Sequence, residues 1–401
     1  MNTLSRLRVA TNAAIVPLLS IPTPLTFTGP GASLTLCRVI AGTGARRLLL
    51  VTDPSLLELG LVEPMRQALA AEGVHVDVFS DIAPDPDYAM VEAGIERLRT
   101  SGAQAVLAVG GGSPLDCAKV INLSHANGCH PSKLTGLWLF ALPRKRGLPF
   151  YAVPTTAGSG SEVTMAAVVS DHAAQSKRTI VDPKTLPDMV ALDPSLTVGL
   201  PPSITAPTGM DALTHAVEAY LSTMANAQTD AWALAATTLI ARALPKAYAD
   251  GRDLRAREDM LVGSTLAGMA FTRAGVGYVH ALSHQIGAIY HLPHGLVNSI
   301  VMPRVLSYYR PECAPRMAAL ARAAGLATSG QSDAELADAL IEWVHAMNAQ
   351  MGMPQHIQAI QSADFDRIVD NAFAEAHGTY GVPRYLDRGS ARTLLQALAP
   401  Q

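Results

Sequence analysis

Two glycine-rich turns, each set directly after a short apolar run, leave this chain few folds to choose from. Ala105-Val106-Leu107-Ala108-Val109 passes straight into Gly110-Gly111-Gly112-Ser113-Pro114. Leu115 to Asn122 then has helical spacing, with Pro114 in the first turn, where a missing N–H is tolerated. Phe150-Tyr151-Ala152-Val153 likewise ends at Pro154-Thr155-Thr156-Ala157-Gly158-Ser159-Gly160-Ser161-Glu162. Such continuous apolar runs suit strands buried on both faces of a parallel sheet. A βα rhythm precedes them: a strand over Arg47–Thr52, a helix over Leu61–Ala71, a strand over Val74–Phe79 and a helix over Tyr88–Thr100. The expectation is an α/β unit with a doubly wound parallel sheet.

Ligands of open α/β sheets bind beyond the carboxyl ends of the strands, where both turns lie. Backbone at Gly110, Gly111, Gly112 and Ser113 can come close to a diphosphate, and the N-terminus of the following helix favours its charge. The turn is neither GxGxxG nor a P-loop, which would need Lys-Ser/Thr after the glycines. A turn that carries glycines only for geometry reads the same way. The second turn adds the hydroxyls of Thr155 and Thr156, and the pair together point to a phosphate-bearing cofactor. Asp53 ends the first strong strand. A carboxylate there can accept from a ribose diol and repel a 2′-phosphate, although capping a helix begun by Pro54 is an equally good use for it.

Near Asp193-Pro194 and Leu200-Pro201-Pro202 the rhythm changes, and Ala/Leu-rich helical stretches follow: Asp211–Ser222, Thr229–Ala249, Arg255–Arg273, Arg316–Ala324 and Asp333–Gln350. The chain of 401 residues is long enough for two domains, read as an α/β part over 1–194 and a helical part over 195–401. Within the helical part Asp211 and His215 are four apart, as are His280 and His284, so each pair shares one helix face. His294 stands between Pro293 and Gly295, where a helix is not expected to run through. Asp211, His215, His280 and His294 can offer one carboxylate oxygen and three imidazole nitrogens to a single ion. Zn²⁺ or Fe²⁺ suits that set better than Mg²⁺ or Ca²⁺. A lone helical His is usually a surface or satisfied core residue, but two such pairs are harder to dismiss in a chain with 12 His.

Composition removes other classes. A net charge of −3 and the lack of a basic run give no electrostatic reason to expect nucleic acid. No apolar run approaches the roughly 20 residues a bilayer span needs, so no membrane is expected. Cys37, Cys117, Cys129 and Cys313 lack CxxC spacing, which suits a reducing cytoplasm. Arg6 and Arg8 before the mildly apolar Val9–Ile21 loosely mimic a secretory signal, but Asn12, Pro17 and Ser20 interrupt it. That stretch reads as an irregular arm leading into a first strand.

Four segments, in order, resemble the iron-containing (group III) alcohol dehydrogenase family: Gly110-Gly-Gly-Ser-Pro-Leu-Asp116-Cys-Ala-Lys119, Pro154 to Glu162, Gly209-Met-Asp-Ala-Leu-Thr-His-Ala-Val-Glu-Ala-Tyr220, and His280 to Gly295. The resemblance covers most of the chain. It implies a Rossmann-like N-terminal dinucleotide-binding domain, a C-terminal helical metal-binding domain in a dehydroquinate synthase-like arrangement, an active site in the cleft between them, and a homo-oligomer. It implies Asp211, His215, His280 and His294 as ligands of Fe²⁺ or Zn²⁺. His284 corresponds to a non-ligand His near nicotinamide and substrate, and is expected to relay a proton. Gly110, Gly111, Gly112, Ser113, Asp116, Thr155 and Thr156 correspond to cofactor contacts, Asp53 to the acidic residue that favours NAD, and Lys177 to a Lys near the cofactor ribose. The implied reaction is hydride transfer between a small alcohol or aldehyde and nicotinamide, with the metal as Lewis acid. Relative to the family pattern the departures cluster at the substrate end: Gln285 where Pro is usual, His291 where Asp is common, and Val382-Pro383-Arg384 for Asn-Pro-Arg, with His377 five residues before Val382.

Rival readings stay on the table at this stage. A metal-independent reductase resembling maleylacetate reductase would typically lack the carboxylate kept here as Asp211. A hydroxyacid–oxoacid transhydrogenase would retain its cofactor between half-reactions. A nucleotide-binding regulator with a structural metal would fail to oxidise NADH whichever carbonyl is offered.

Overall fold

The computed structural model describes residues 3–15, 21–136, 144–171 and 176–400. They form two compact units, one spanning Ile21–Gly199 and one from Leu200 onward that also takes in the N-terminal segment.

The first unit is built on six strands: β1 (Leu25–Thr28), β2 (Arg47–Val51), β3 (His75–Phe79), β4 (Ala105–Gly110), β5 (Phe150–Pro154) and, after a separate hairpin, β8 (Met189–Leu192). Their order is β1-β8-β5-β4-β2-β3. Every pairing is parallel. The apolar runs become the centre, with every residue of β4 and β5 buried. Four helices supply crossovers: α2 (Ala32–Gly42), α4 (Glu63–Ala71), α5 (Tyr88–Ser101) and α6 (Gly112–Asn127). A short helix, α3 (Pro54–Glu58), follows β2 directly. From β2 the chain moves outward to β3, then returns to the other side of β2 as β4 and continues to β5 and β8. The strand order therefore reverses between β2 and β4, and their carboxyl ends flank the crevice where such sheets take ligands. Asp53 follows β2, and Gly110–Ser113 follows β4.

The strands and helices expected at 47–122 and 150–153 are all present. Absent from the sequence reading is the antiparallel hairpin of β6 (Ala166–Asp171) and β7 (Ser176–Val181). Its partly exposed strands carry mixed polar and apolar residues without strict alternation, so the period-2 signal is weak.

The second unit is helical: α7 (Pro202–Leu221), α8 (Ala227–Ala249), α9 (Leu254–Ala274), α10 (Tyr278–Tyr290), α11 (His294–Ala323), α12 (Asp333–Gln350), α13 (Phe365–Ala376) and α14 (Arg388–Leu398). Helix α7 packs on α8, α9 and α11, and α10 packs on α11 and α13. Gly209 permits the close approach of α7, since a Cβ there would sit 2.3 Å from Leu244 Cδ1 on α8. Helix α11 runs through Pro303, Pro311 and Pro315. Proline is a stop signal in a sequence reading, so only its last turns were expected. The N-terminal arm is a correction as well: Thr3–Ile15 is a helix, α1, with Val9 buried. No Gly or Pro interrupts those thirteen residues. Pro17 and Ser20 lie outside the described residues. No described helix is long and apolar enough to cross a membrane.

Candidate functional site

Helix α7 presents Asp211 and His215 on one face, and α10 presents His280 and His284 on one of its own. Helix α10 ends with His291 in the left-handed conformation (φ 53°), Pro293 caps the next helix, and His294 opens it. The helix break predicted around His294 is therefore where α10 gives way to α11. Asp211, His215 and His280 each offer a ligand atom within 4.8 Å of the others. Nε2 of His294 lies 3.4 Å from Asp211 Oδ1, and Nε2 of His280 lies 3.8 Å from it. The His215 and His280 rings stack at 4.6 Å between centroids.

The fit of this set to a cation is visible in what stands at its focus. Asn298 Nδ2, fully buried, is 2.8 Å from Asp211 Oδ1, 3.2 Å from His280 Nε2 and 3.1 Å from His294 Nε2. An amide nitrogen has two hydrogens, and it faces the Asp211 carboxylate oxygen and two imidazole nitrogens, each an acceptor in the tautomer that would bind a metal. Asn298 Oδ1 is buried without a partner. A divalent ion shared by those acceptors satisfies all of them, which a single amide cannot.

Glu218, two turns along α7 from Asp211, orients His280. It accepts from His280 Nδ1 at 2.6 Å, Val279 N at 2.7 Å and Gly277 N at 2.8 Å. With Nδ1 donating to the carboxylate, the neutral ring carries its lone pair on Nε2, toward Asp211. Burial pushes the Glu218 carboxyl up to about 7, against the backbone N–H groups of Gly277, Val279 and His280, which hold it down. Burial, followed by the facing His215, His294 and His284, holds His280 well below its ordinary value, in the neutral form a metal needs. Glu218 was missed in the sequence, although its position three residues after His215 placed it on the same face. Asn298, four after His294, was missed too.

His284 stacks on His294 at 5.1 Å and meets His280 edge-on at 5.7 Å, with its Nδ1 on Glu375. It lies against the cluster.

In the α/β unit the two turns meet. Thr155 N donates to Gly110 O at 2.9 Å. A Cβ on Gly111 would lie 3.4 Å from Thr156 Oγ1, and one on Gly112 would lie 3.2 Å from Ser159 Oγ. Gly110 is needed for its own conformation, at φ 153°, with a Cβ position only 2.6 Å from Pro114 Cγ. Side chains would fill this cradle, which opens on the N-terminus of the sixteen-residue α6. It suits a diphosphate. Ser113 sits in the first turn of that helix. Asp116, on α6, ties that helix to the second turn and to β6, accepting from Ser161 Oγ at 2.5 Å and Val168 N at 2.9 Å. Asp53 caps α3, accepting from Leu56 N at 3.1 Å through Oδ1. Lys177, on β7, donates to Asp85 Oδ1 at 2.6 Å.

Comparisons with known proteins identify the family. Residues 14–194 match the family profile described as iron-containing alcohol dehydrogenase, and residues 205–399 match the C-terminal profile of the Fe-containing alcohol dehydrogenase family. The chain is 38% identical over 355 residues to 1,3-propanediol dehydrogenase of Citrobacter freundii, covering 88% of this chain and 91% of the relative. It is 40% identical over 332 residues to long-chain-alcohol dehydrogenase 1 of Geobacillus thermodenitrificans, covering 83% and 84%. A solved structure of 1,3-propanediol oxidoreductase superposes with a TM-score of 0.90 at 35% identity, covering 94% of this chain and 99% of that one. The chain belongs to the iron-containing alcohol dehydrogenase family and is an NAD-linked oxidoreductase of alcohols and aldehydes, with NAD and Fe²⁺ as its cofactors.

Proposed function

We propose that Asp211, His215, His280 and His294 hold the divalent ion, that the Gly110–Ser113 turn with Thr155 and Thr156 holds the NAD diphosphate, and that the substrates are primary alcohols and the matching aldehydes. The observation that carries the metal assignment is the convergence of three acceptors on the single Asn298 amide, with His215 in the same cluster. A named relative acts on 1,3-propanediol, both of whose hydroxyls are primary, and another on long-chain alcohols. Chain length thus varies among relatives while the hydroxyl chemistry recurs.

When bound, the ion supplies Lewis-acid polarisation of an alcohol or carbonyl oxygen, and NAD supplies the hydride acceptor. The protein's residues do the rest. Glu218 and Asn298 set His280 and Asp211 in place before the ion arrives. Asp211 cuts the formal charge of the loaded site to about +1 with neutral imidazoles. The α6 N-terminus and the bare backbone of Gly111 and Gly112 receive the diphosphate. Asp53 keeps Oδ2 available to a ribose diol and disfavours a 2′-phosphate. His284 takes up and returns the alcohol proton.

Alanine at 211, 215, 280 or 294 should each lower bound iron, measured on protein purified with the metal present. His284→Ala should retain iron at the level of the unsubstituted protein and lose about 10²-fold in turnover. Iron lost from His284→Ala would make it a ligand, and the assignment of roles would be wrong.

A further inference from the structure

The residue after the second His of the α10 pair is Gln285, and its amide has a use. Gln285 Nε2 donates to Glu375 Oε2 at 2.9 Å. Oε1 of the same carboxylate lies 2.7 Å from His284 Nδ1 and accepts from Tyr380 Oη at 2.6 Å. Glu375 is the penultimate residue of α13, which packs along α10, and Tyr380 follows just beyond that helix. One carboxylate thus takes three donors, two from neighbouring positions on α10 and one from its own strand of chain. Burial works to raise Glu375, but facing His284 and the bonds from His284 and Tyr380 outweigh it, and the carboxyl is held below its ordinary value. Tyr380 is pushed well above its ordinary value by burial and by Glu375, so it keeps its hydrogen and remains a donor.

We propose that Glu375 is a positioning residue for His284, holding its ring stacked on His294 in the tautomer that carries hydrogen on Nδ1, with Gln285 and Tyr380 fixing the carboxylate. This rests on the reading of His284 as the proton carrier. The tautomer matters because a neutral imidazole accepts a proton only at its bare nitrogen. With Nδ1–H given to Glu375, that nitrogen is Nε2, at the far end of a ring whose face is against His294. A ring left to choose its tautomer and rotate would present the wrong nitrogen part of the time. A carboxylate serves a catalytic imidazole in the same way in serine hydrolase triads. Spacing in the sequence could not reveal it, because 91 positions separate the partners.

The test uses the full chain loaded with Zn²⁺ or Fe²⁺, in four forms: unsubstituted, His284→Ala, Glu375→Ala and the double variant. Bound metal, kcat and KM for an aldehyde are measured, together with the ¹⁵N signals of His284 in the zinc form at one fixed pH. Glu375→Ala should keep its metal and its KM within about twofold, lose about 10²-fold in kcat, and show His284 as a mixture of tautomers. In the His284→Ala background the same substitution should cost nothing further in kcat. Gln285→Leu and Tyr380→Phe, which each remove one donor and leave the carboxylate, should shift the tautomer mixture partway. An equal loss from Glu375→Ala in both backgrounds, or an unchanged tautomer in Glu375→Ala, overturns the proposal. If His284→Ala itself turns over normally, the proton-carrier reading fails, and the tautomer signal alone decides what Glu375 does.

Discussion

At the scale of single residues, the metal cluster depends on a side chain that is missing. Gly295 follows His294 in the first turn of α11, where the helix crosses close to α7. A Cβ there would lie 2.2 Å from Pro207 O and 3.2 Å from Asp211 Cβ. Backbone cannot yield as a flexible side chain can. Gly295→Ala should therefore push the start of α11, and His294 with it, away from Asp211. The expected outcome is a loss of about 1–3 kcal/mol in unfolding free energy and at least about a tenfold loss in iron affinity. Chemical denaturation and metal competition measure the two separately; unchanged values in both would mean that the helices are not held this close. The sequence displayed the four proposed ligands plainly, because helical spacing and a Pro-His-Gly break are local signals. It displayed Glu218 and Asn298 as well, at the right spacing from His215 and His294, but nothing local distinguishes an orienting carboxylate from a solvated one. Glu375 was beyond reach, since its partner lies on another helix.

Among the elements, the strands of the sheet were legible because a strand buried on both faces leaves an unbroken apolar run, and β4 and β5 have one. The hairpin β6–β7 was not, because partial exposure removes that pattern. Helix α11 hid behind three prolines whose missing N–H bonds are outweighed by the packing of Val297, Ile300, Val301, Met302, Val305 and Leu306 in the core. The pairing of β4 with α6 is the element that bears on the cofactor. Gly111 has an ordinary φ of −76°, so a larger residue fits its backbone and changes only the cradle. Gly111→Val should crowd Thr156 and raise the NADH dissociation constant by at least about tenfold, or about 1.4 kcal/mol, with bound iron unchanged. Fluorescence titration with NADH measures this. Undiminished binding would mean that the glycines at this turn serve local packing alone.

For the molecule as a whole, the proposed roles give each unit one half of the chemistry: a nucleotide cradle on the sheet and a metal cluster among the helices. Composition gave no reason to expect nucleic acid or a helical membrane span but could not choose between a metal-dependent dehydrogenase and a metal-indifferent reductase of similar architecture. That choice turns on whether Asp211 and its three histidines hold an ion that the reaction uses. Aldehyde-dependent NADH oxidation should therefore be followed in chelator-stripped protein, before and after Fe²⁺ is restored, with maleylacetate as a parallel substrate. Aldehyde reduction should disappear on stripping and return with the metal. Reduction of maleylacetate at the same rate in stripped and restored protein, with no metal-dependent activity on any aldehyde, would contradict it.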